Sequence, residues 1–245
     1  MALKKILSLL IPLSLLFVAA CGDDSGSNKG VEPEESDIAI APLTDSRDGQ
    51  TYKTVKIGDQ VWMAENLNYR VDSSFCYNNE DSNCTKYGRL YRWVVAVGKS
   101  ESECGDGYLC SLPSGNIQGI CPNGWHLPDT TEWNALFTAS SGLAGRALKS
   151  TTGWKSKDTD AITYGANGED KFGFSALPSG IRHNNNTFSY EGERAYYWSS
   201  TETFSVYDSV YNYANYVYLR YDGITGIREY SRKNDDAYSV RCIKD

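Results

Sequence analysis

The sequence predicts an α+β domain, loop-rich and stapled by disulfides, with short helices around small, mainly antiparallel sheets. Three observations carry this. Short alternating apolar runs, bounded by glycine, asparagine and proline, read as strands. Two apolar runs keep helical spacing instead: Leu90, Trp93, Val94 and Val97, then Trp133, Leu136 and Phe137. The chain also holds seven cysteines, an odd count that leaves six once one is set aside.

The chain in order begins with Lys4 and Lys5 before an apolar run from Ile6 to Ala20. That is a signal peptide, too short for a spanning helix and ending on small residues. Val18-Ala-Ala-Cys21 has the pattern of a bacterial lipobox, so Cys21 is expected to carry lipid and to begin the mature chain. Several acyl chains together anchor firmly where one does not. Residues 21–44 are rich in Ser, Gly, Asp and Glu with no apolar period, an acidic flexible tether. A chain of that length spans about 25 Å on average. The expected address is the bacterial envelope, at the outer membrane and open to surface display.

The domain is expected over residues 45–245, a length suited to one core. A formal charge of -7 becomes about -9 when Lys4 and Lys5 leave with the leader. Nucleic acid is excluded as a partner, because phosphate binding needs a basic patch.

Residues 51–57 alternate, Gly58-Asp59 turns and residues 60–63 return, a hairpin. Asp45, Asp48 and Asp59 lack the spacing of a calcium loop and read as turn residues. Cys76 and Cys84 bracket an acidic loop, a helix follows at residues 90–97, and Cys104 and Cys110 bracket a Gly-rich loop. Six cysteines allow fifteen pairings. Proximity favours Cys76–Cys84 and Cys104–Cys110, which leaves Cys121–Cys242. A metal site is not expected, with no Cys-x-x-Cys and only His126 and His183 available.

The stretch from Cys121 to Trp133 organises the chain. Pro122, Asn123 and Gly124 turn, Trp125 and Leu127 flank His126 in a short strand, and Pro128 stops it. Asp129 and Glu132 are spaced as a capping box for the helix that follows, and Gly142 ends it. Residues 143–149 read as a further short helix. Residues 158–173 form a long polar loop. Its Asn167, Glu169 and Asp170 make calcium the one cofactor left open.

Residues 172–177 read as a buried strand closed by Pro178, and Gly180 begins the next. Tyr196-Tyr-Trp198 is an aromatic strand. In residues 206–221 tyrosines fall on both parities of an extended segment. Packing explains aromatics in a strand, but a row of exposed rings would also stack on sugars. Trp198, Tyr216 and Tyr218 are the candidate contacts. Residues 228–233 read as a polar connection and residues 238–243 as the last strand.

Seven stretches together resemble the Fibrobacter succinogenes major paralogous domain family of bacterial envelope proteins. They are the Cys121–Trp133 stretch, Asp48-Gly-Gln-Thr-Tyr52, Val61-Trp-Met-Ala-Glu-Asn-Leu67, Tyr87-Gly-Arg-Leu-Tyr91, Gly173-Phe-Ser-Ala-Leu-Pro178, Tyr197-Trp-Ser-Ser200 and Tyr238-Ser-Val-Arg-Cys242. A fainter similarity runs to the formylglycine-generating-enzyme and C-type-lectin-like folds, where a Trp-Arg-Leu-Pro stretch enters a Glu- and Trp-bearing helix. The resemblance implies a C-type-lectin-like scaffold and an envelope address. It carries over no catalytic residues: no active cysteine pair, histidine cluster or Glu-Pro-Asn loop can be placed. The functional expectation is a non-catalytic module binding polysaccharide or another envelope component. The alternatives are a hydrolase or oxidase on the same scaffold, or a structural surface protein with protein partners.

Overall fold

The computed structural model describes residues 40–155, 167–204, 212–233 and 235–245. The leader, Cys21 and the tether up to residue 39 lie outside the described residues, as do Tyr211 and residues 158–166 of the expected loop. No helix of the described residues is long and apolar enough to cross a membrane.

The domain is α+β, with short helices and antiparallel-rich sheets. An eight-stranded sheet runs Ile227–Arg232, Asn212–Arg220, Arg194–Phe204, Ser179–His183, Asp236–Ser239, Leu90–Arg92 and Ser74–Phe75, with Phe188–Glu191 paired onto Ser179–His183. Its pairs are antiparallel except where Arg194–Phe204 lies parallel to two neighbours. A four-stranded antiparallel sheet holds Thr54–Ile57, Gln60–Met63, Ile243–Lys244 and Trp125–His126 in that order. Leu43–Thr44 and Thr51–Tyr52 form a separate pair.

Period-2 alternation gives the central strands two apolar faces. Ala195, Tyr197, Val217 and Leu219 pack on one side against Trp133 and Leu136 of the helix Thr130–Ala139, with Trp62 and Phe174. Trp133 stacks on Tyr197 at 5.5 Å between ring centroids and meets Trp62 at 4.8 Å. The opposite face carries Tyr196, Trp198, Tyr216, Tyr218 and Tyr238. Burying one such ring stabilises the fold by about 1.5–3 kcal/mol.

The central stretch folds as its residues require. The Asp129 carboxylate accepts the Glu132 N–H at 2.8 Å, and Glu132 Oε2 accepts the Asp129 N–H at 2.9 Å, closing the capping box. The other Glu132 oxygen meets His126 Nε2 at 2.8 Å, and Asp245 meets Nδ1 at 2.7 Å. One carboxylate thus caps a helix and fixes a buried histidine. The disulfides are Cys76–Cys84, Cys104–Cys110 and Cys121–Cys242, as proximity suggested.

Several expectations fail for identifiable reasons. The helix expected over residues 90–97 is a strand, Leu90–Arg92, followed by a four-residue helix, Trp93–Ala96. Cross-strand pairing of Leu90 with Ser239 and Phe75 overrides helical spacing there. A helix Asp81–Tyr87 begins within the segment taken as an acidic loop and runs past Cys84, and a short unexpected helix, Glu101–Cys104, leads into the Gly-rich loop. Ser100 and Glu103 make a capping box for the latter, a spacing readable in the sequence. Residues 172–177 are not a strand. Phe174 and Ala176 are buried, but the Phe174 and Ser175 carbonyls accept from Arg241 instead of a neighbouring strand. Residues 228–233 are mostly strand, Ile227–Arg232, paired along Asn212–Arg220. The last expected strand is two, Asp236–Ser239 and Ile243–Lys244, because the chain crosses between sheets at residues 240–242.

Two predictions follow from this core. Burial alone pushes the His126 imidazole pKa down, but hydrogen bonds to Glu132 and Asp245 outweigh it and raise the value above 6.5. A raised folded pKa makes the stabilisation complete below the unfolded value and lost as pH rises through the folded one. Thermal midpoints should therefore fall from about pH 6 upward, and His126→Gln should flatten that fall. A Cys121→Ala, Cys242→Ala variant should lose about 2–5 kcal/mol of unfolding free energy, read from denaturant midpoints.

Candidate functional site

Five of the seven sequence stretches singled out above meet at one cleft of about 640 Å³, through Gln50–Tyr52, Ala64–Asn66, Tyr87, Gly173 with Ser175 and Leu177, and Arg241. Residues far apart in sequence reach it because residues 63–67 are fastened to the last crossing. The Met63 N–H donates to the Cys242 carbonyl at 3.0 Å, and the Leu67 N–H to that of Val240 at 2.9 Å. Gly88 lets the chain after Tyr87 pass close by. It has a φ of 72°, and a Cβ there would sit 2.8 Å from the Asn66 carbonyl oxygen.

The floor of the cleft is committed to the fold. Arg241, fully buried, donates through Nε to Asn66 Oδ1 at 2.8 Å and through Nη2 to the Ser175 carbonyl at 3.0 Å. Asn66 Nδ2 donates to the Tyr87 carbonyl at 2.8 Å. Asp170 takes the Ser175 N–H at 2.6 Å and also its hydroxyl. Burial holds the Tyr52 hydroxyl at a pKa of about 12, against the Asn68 N–H that it accepts at 3.1 Å. One buried acceptor is left over: Asn68 Oδ1 has no partner among the described residues. Lys53, Lys86, Thr151 and Thr152 line the rim, exposed.

A second, more open cleft of about 610 Å³ adjoins the first, with Lys86 and Tyr87 common to both. Tyr87 donates its hydroxyl to Glu191 at 2.9 Å there, and Lys155 pairs with Glu193 at 3.1 Å. Tyr190 also lines it. This ring is 36% exposed and lies 4.3 Å from the Arg194 guanidinium. Its φ of 68° is a conformation that a bulky residue rarely adopts.

The expected contact residues are elsewhere. Trp198, Tyr216 and Tyr218 are 0, 9 and 7% exposed, so they offer no stacking platform. Their polar tips are tied down: Trp198 Nε1 donates to the Tyr91 carbonyl at 2.7 Å, and Tyr216 and Tyr218 donate to Glu229 at 2.8 and 3.3 Å. Rings on this face pack on one another, Tyr196 stacking on Tyr218 and Tyr238 at 5.1 Å each. The oxygens considered for calcium each have a protein partner. Asn167 accepts from the Trp154 N–H at 3.1 Å, Glu169 pairs with Arg146 and Asp170 with Ser175. Asp45 is fully buried and held by Arg47 at 2.6 Å. No group of three metal-ligating acids, histidines or cysteines occurs among the described residues.

Tyr190 and Asn68 were missed in the sequence. A positive φ at a tyrosine leaves no local signal, and an unpartnered amide is visible only once its neighbours are placed. A family model described as the Fibrobacter succinogenes major domain matches residues 55–244. No curated protein matches the chain, and no solved structure does.

Proposed function

Because the chain belongs to the Fibrobacter succinogenes major domain family, we propose that it is a lipid-anchored envelope protein whose domain binds an extended polymer, a polysaccharide of the envelope or surroundings. The observation that carries this reading is the pair of adjoining clefts. Together they give a path longer than a small ligand needs, rimmed by hydroxyls, amides and a few charges of both signs. Sugar hydroxyls are donors and acceptors at once and suit such a rim. Tyr190 supplies the flat apolar face, in place of the three buried rings first considered. The scaffold in this proposal is C-type-lectin-like. Cys21 and its lipid hold the domain at the membrane, and the acidic tether gives it reach.

Two measurements test it. Full-length protein in detergent should be retained saturably by one class of glycan, and Tyr190→Ala should weaken retention about tenfold, the effect of about 1.4 kcal/mol. Retention unaltered by that change would remove the ring from the site. Separately, Cys21→Ser should move the protein from the membrane to the soluble fraction.

A further inference from the structure

Of the two histidines, His126 has both ring nitrogens engaged by carboxylates, and only His183 faces a hydroxyl. His183 Nε2 lies 3.1 Å from Ser189 Oγ, and His183 Nδ1 lies 2.9 Å from Asp236 Oδ1. The Tyr238 hydroxyl donates to the other Asp236 oxygen at 3.1 Å. We infer that Ser189, His183 and Asp236 form a nucleophile, base and orienting acid for hydrolysis of carboxylic esters.

The strand register builds this arrangement. Asp236 stands directly opposite His183, and Ser189 directly opposite Ile181. Ile181 and His183 are two residues apart, so all three side chains lie on one face of three adjacent strands. An ionised carboxylate only accepts, so Asp236 selects the imidazole tautomer with hydrogen on Nδ1. The lone pair of Nε2 then points at the serine proton. Neither His183 nor Asp236 is sealed off: their side chains are 31 and 18% exposed. Ser189 lines the second cleft, which His183 and Asp236 do not.

The next residue in the chain is Tyr190, with its left-handed φ, and by the register it lies across from Gly180, whose φ is 64°. A Cβ on Gly180 would come within 2.3 Å of the Ser189 carbonyl oxygen, so the two strands approach there as only glycine permits. In serine hydrolases the amide after the nucleophile, on a similarly strained turn, supplies an oxyanion contact. The Tyr190 amide is assigned that part.

The chemistry needs nothing else. Ser189 Oγ attacks the ester carbonyl carbon as its proton passes to His183 Nε2, and the carbonyl π pair moves to oxygen. Collapse expels the alcohol oxygen, which takes the proton from His183. Water, deprotonated by the same nitrogen, then attacks the acyl-serine, releases the carboxylic acid and restores the serine. No redox partner is involved. The inference stands apart from polymer binding, because a small ester does not need the long groove.

The test uses full-length protein, a fluorophosphonate probe and p-nitrophenyl acetate. The probe should phosphonylate Ser189, seen by peptide mapping, and His183→Gln should cut the labelling rate at least tenfold. Ser189→Ala should lower ester turnover by a similar factor with an unchanged circular dichroism spectrum. No adduct on Ser189 would overturn the inference, as would labelling indifferent to His183 or turnover equal in Ser189→Ala. In those cases the three residues only pin the hairpin.

Discussion

The fold depends on a buried cation that forms no direct ion pair among the described residues; Asp170 and Glu65 act on it only from farther off. Arg241 is fully buried, and its hydrogen bonds go to the Asn66 side chain and to the carbonyls of Met63, Phe174 and Ser175. Its guanidinium also lies 4.3 Å from the Phe174 ring centroid. Burial lowers its pKa from an ordinary value so high that the charge persists. A buried charge is tolerated only when its donors are satisfied, so three distant segments are held wherever their acceptors must be. This is why residues 172–177 are buried yet do not form a strand. Lys149 repeats the device more weakly. It donates to the Arg220 and Tyr221 carbonyls at 3.1 Å each, and burial brings its pKa down to about 8. Lys233 differs in having an acid, Glu202, beside the Cys110 sulfur and the Tyr108 carbonyl.

Local chemistry in the sequence was legible where one segment decides its own shape. The capping box at Asp129 and Glu132, the hairpin around Gly58 and the two short-range disulfides were of that kind, and Cys121–Cys242 followed as the pair they left over. What escaped depends on partners distant in the chain. Leu90 keeps helical spacing with Trp93 and Val94, yet Ser239 and Phe75 claim it for a sheet. Tyr216 and Tyr218 alternate just as exposed rings would, and nothing nearby announces that Tyr196, Tyr238 and Glu229 will cover them. Ser189, His183 and Asp236 are unremarkable residues until three strands align.

The aromatic-rich face therefore serves the fold, and chemistry gathers at its margin. Tyr238 illustrates the division: its ring packs among Tyr196, Trp198 and Tyr216, while its hydroxyl orients Asp236. Likewise the cleft floor is locked by Arg241 and Asn66, leaving the exposed rim groups to meet a ligand. A rigid floor under adaptable edges is how surface loops gain precision.

The closing strand of the small sheet bears on how such a protein is made. Ile243 inserts between Trp62 of the opening hairpin and His126 of the central stretch, and Cys242 bonds to Cys121 across 121 residues of chain. Contacts so distant are slow to form, since loop closure precedes any gain from them. Neither the small sheet nor the Arg241 bonds can be completed until almost the whole domain has emerged. Under the envelope address proposed above, that delay would keep the chain unfolded, and threadable, until translocation ends. On the same proposal its cysteines would meet their partners in the oxidising space beyond.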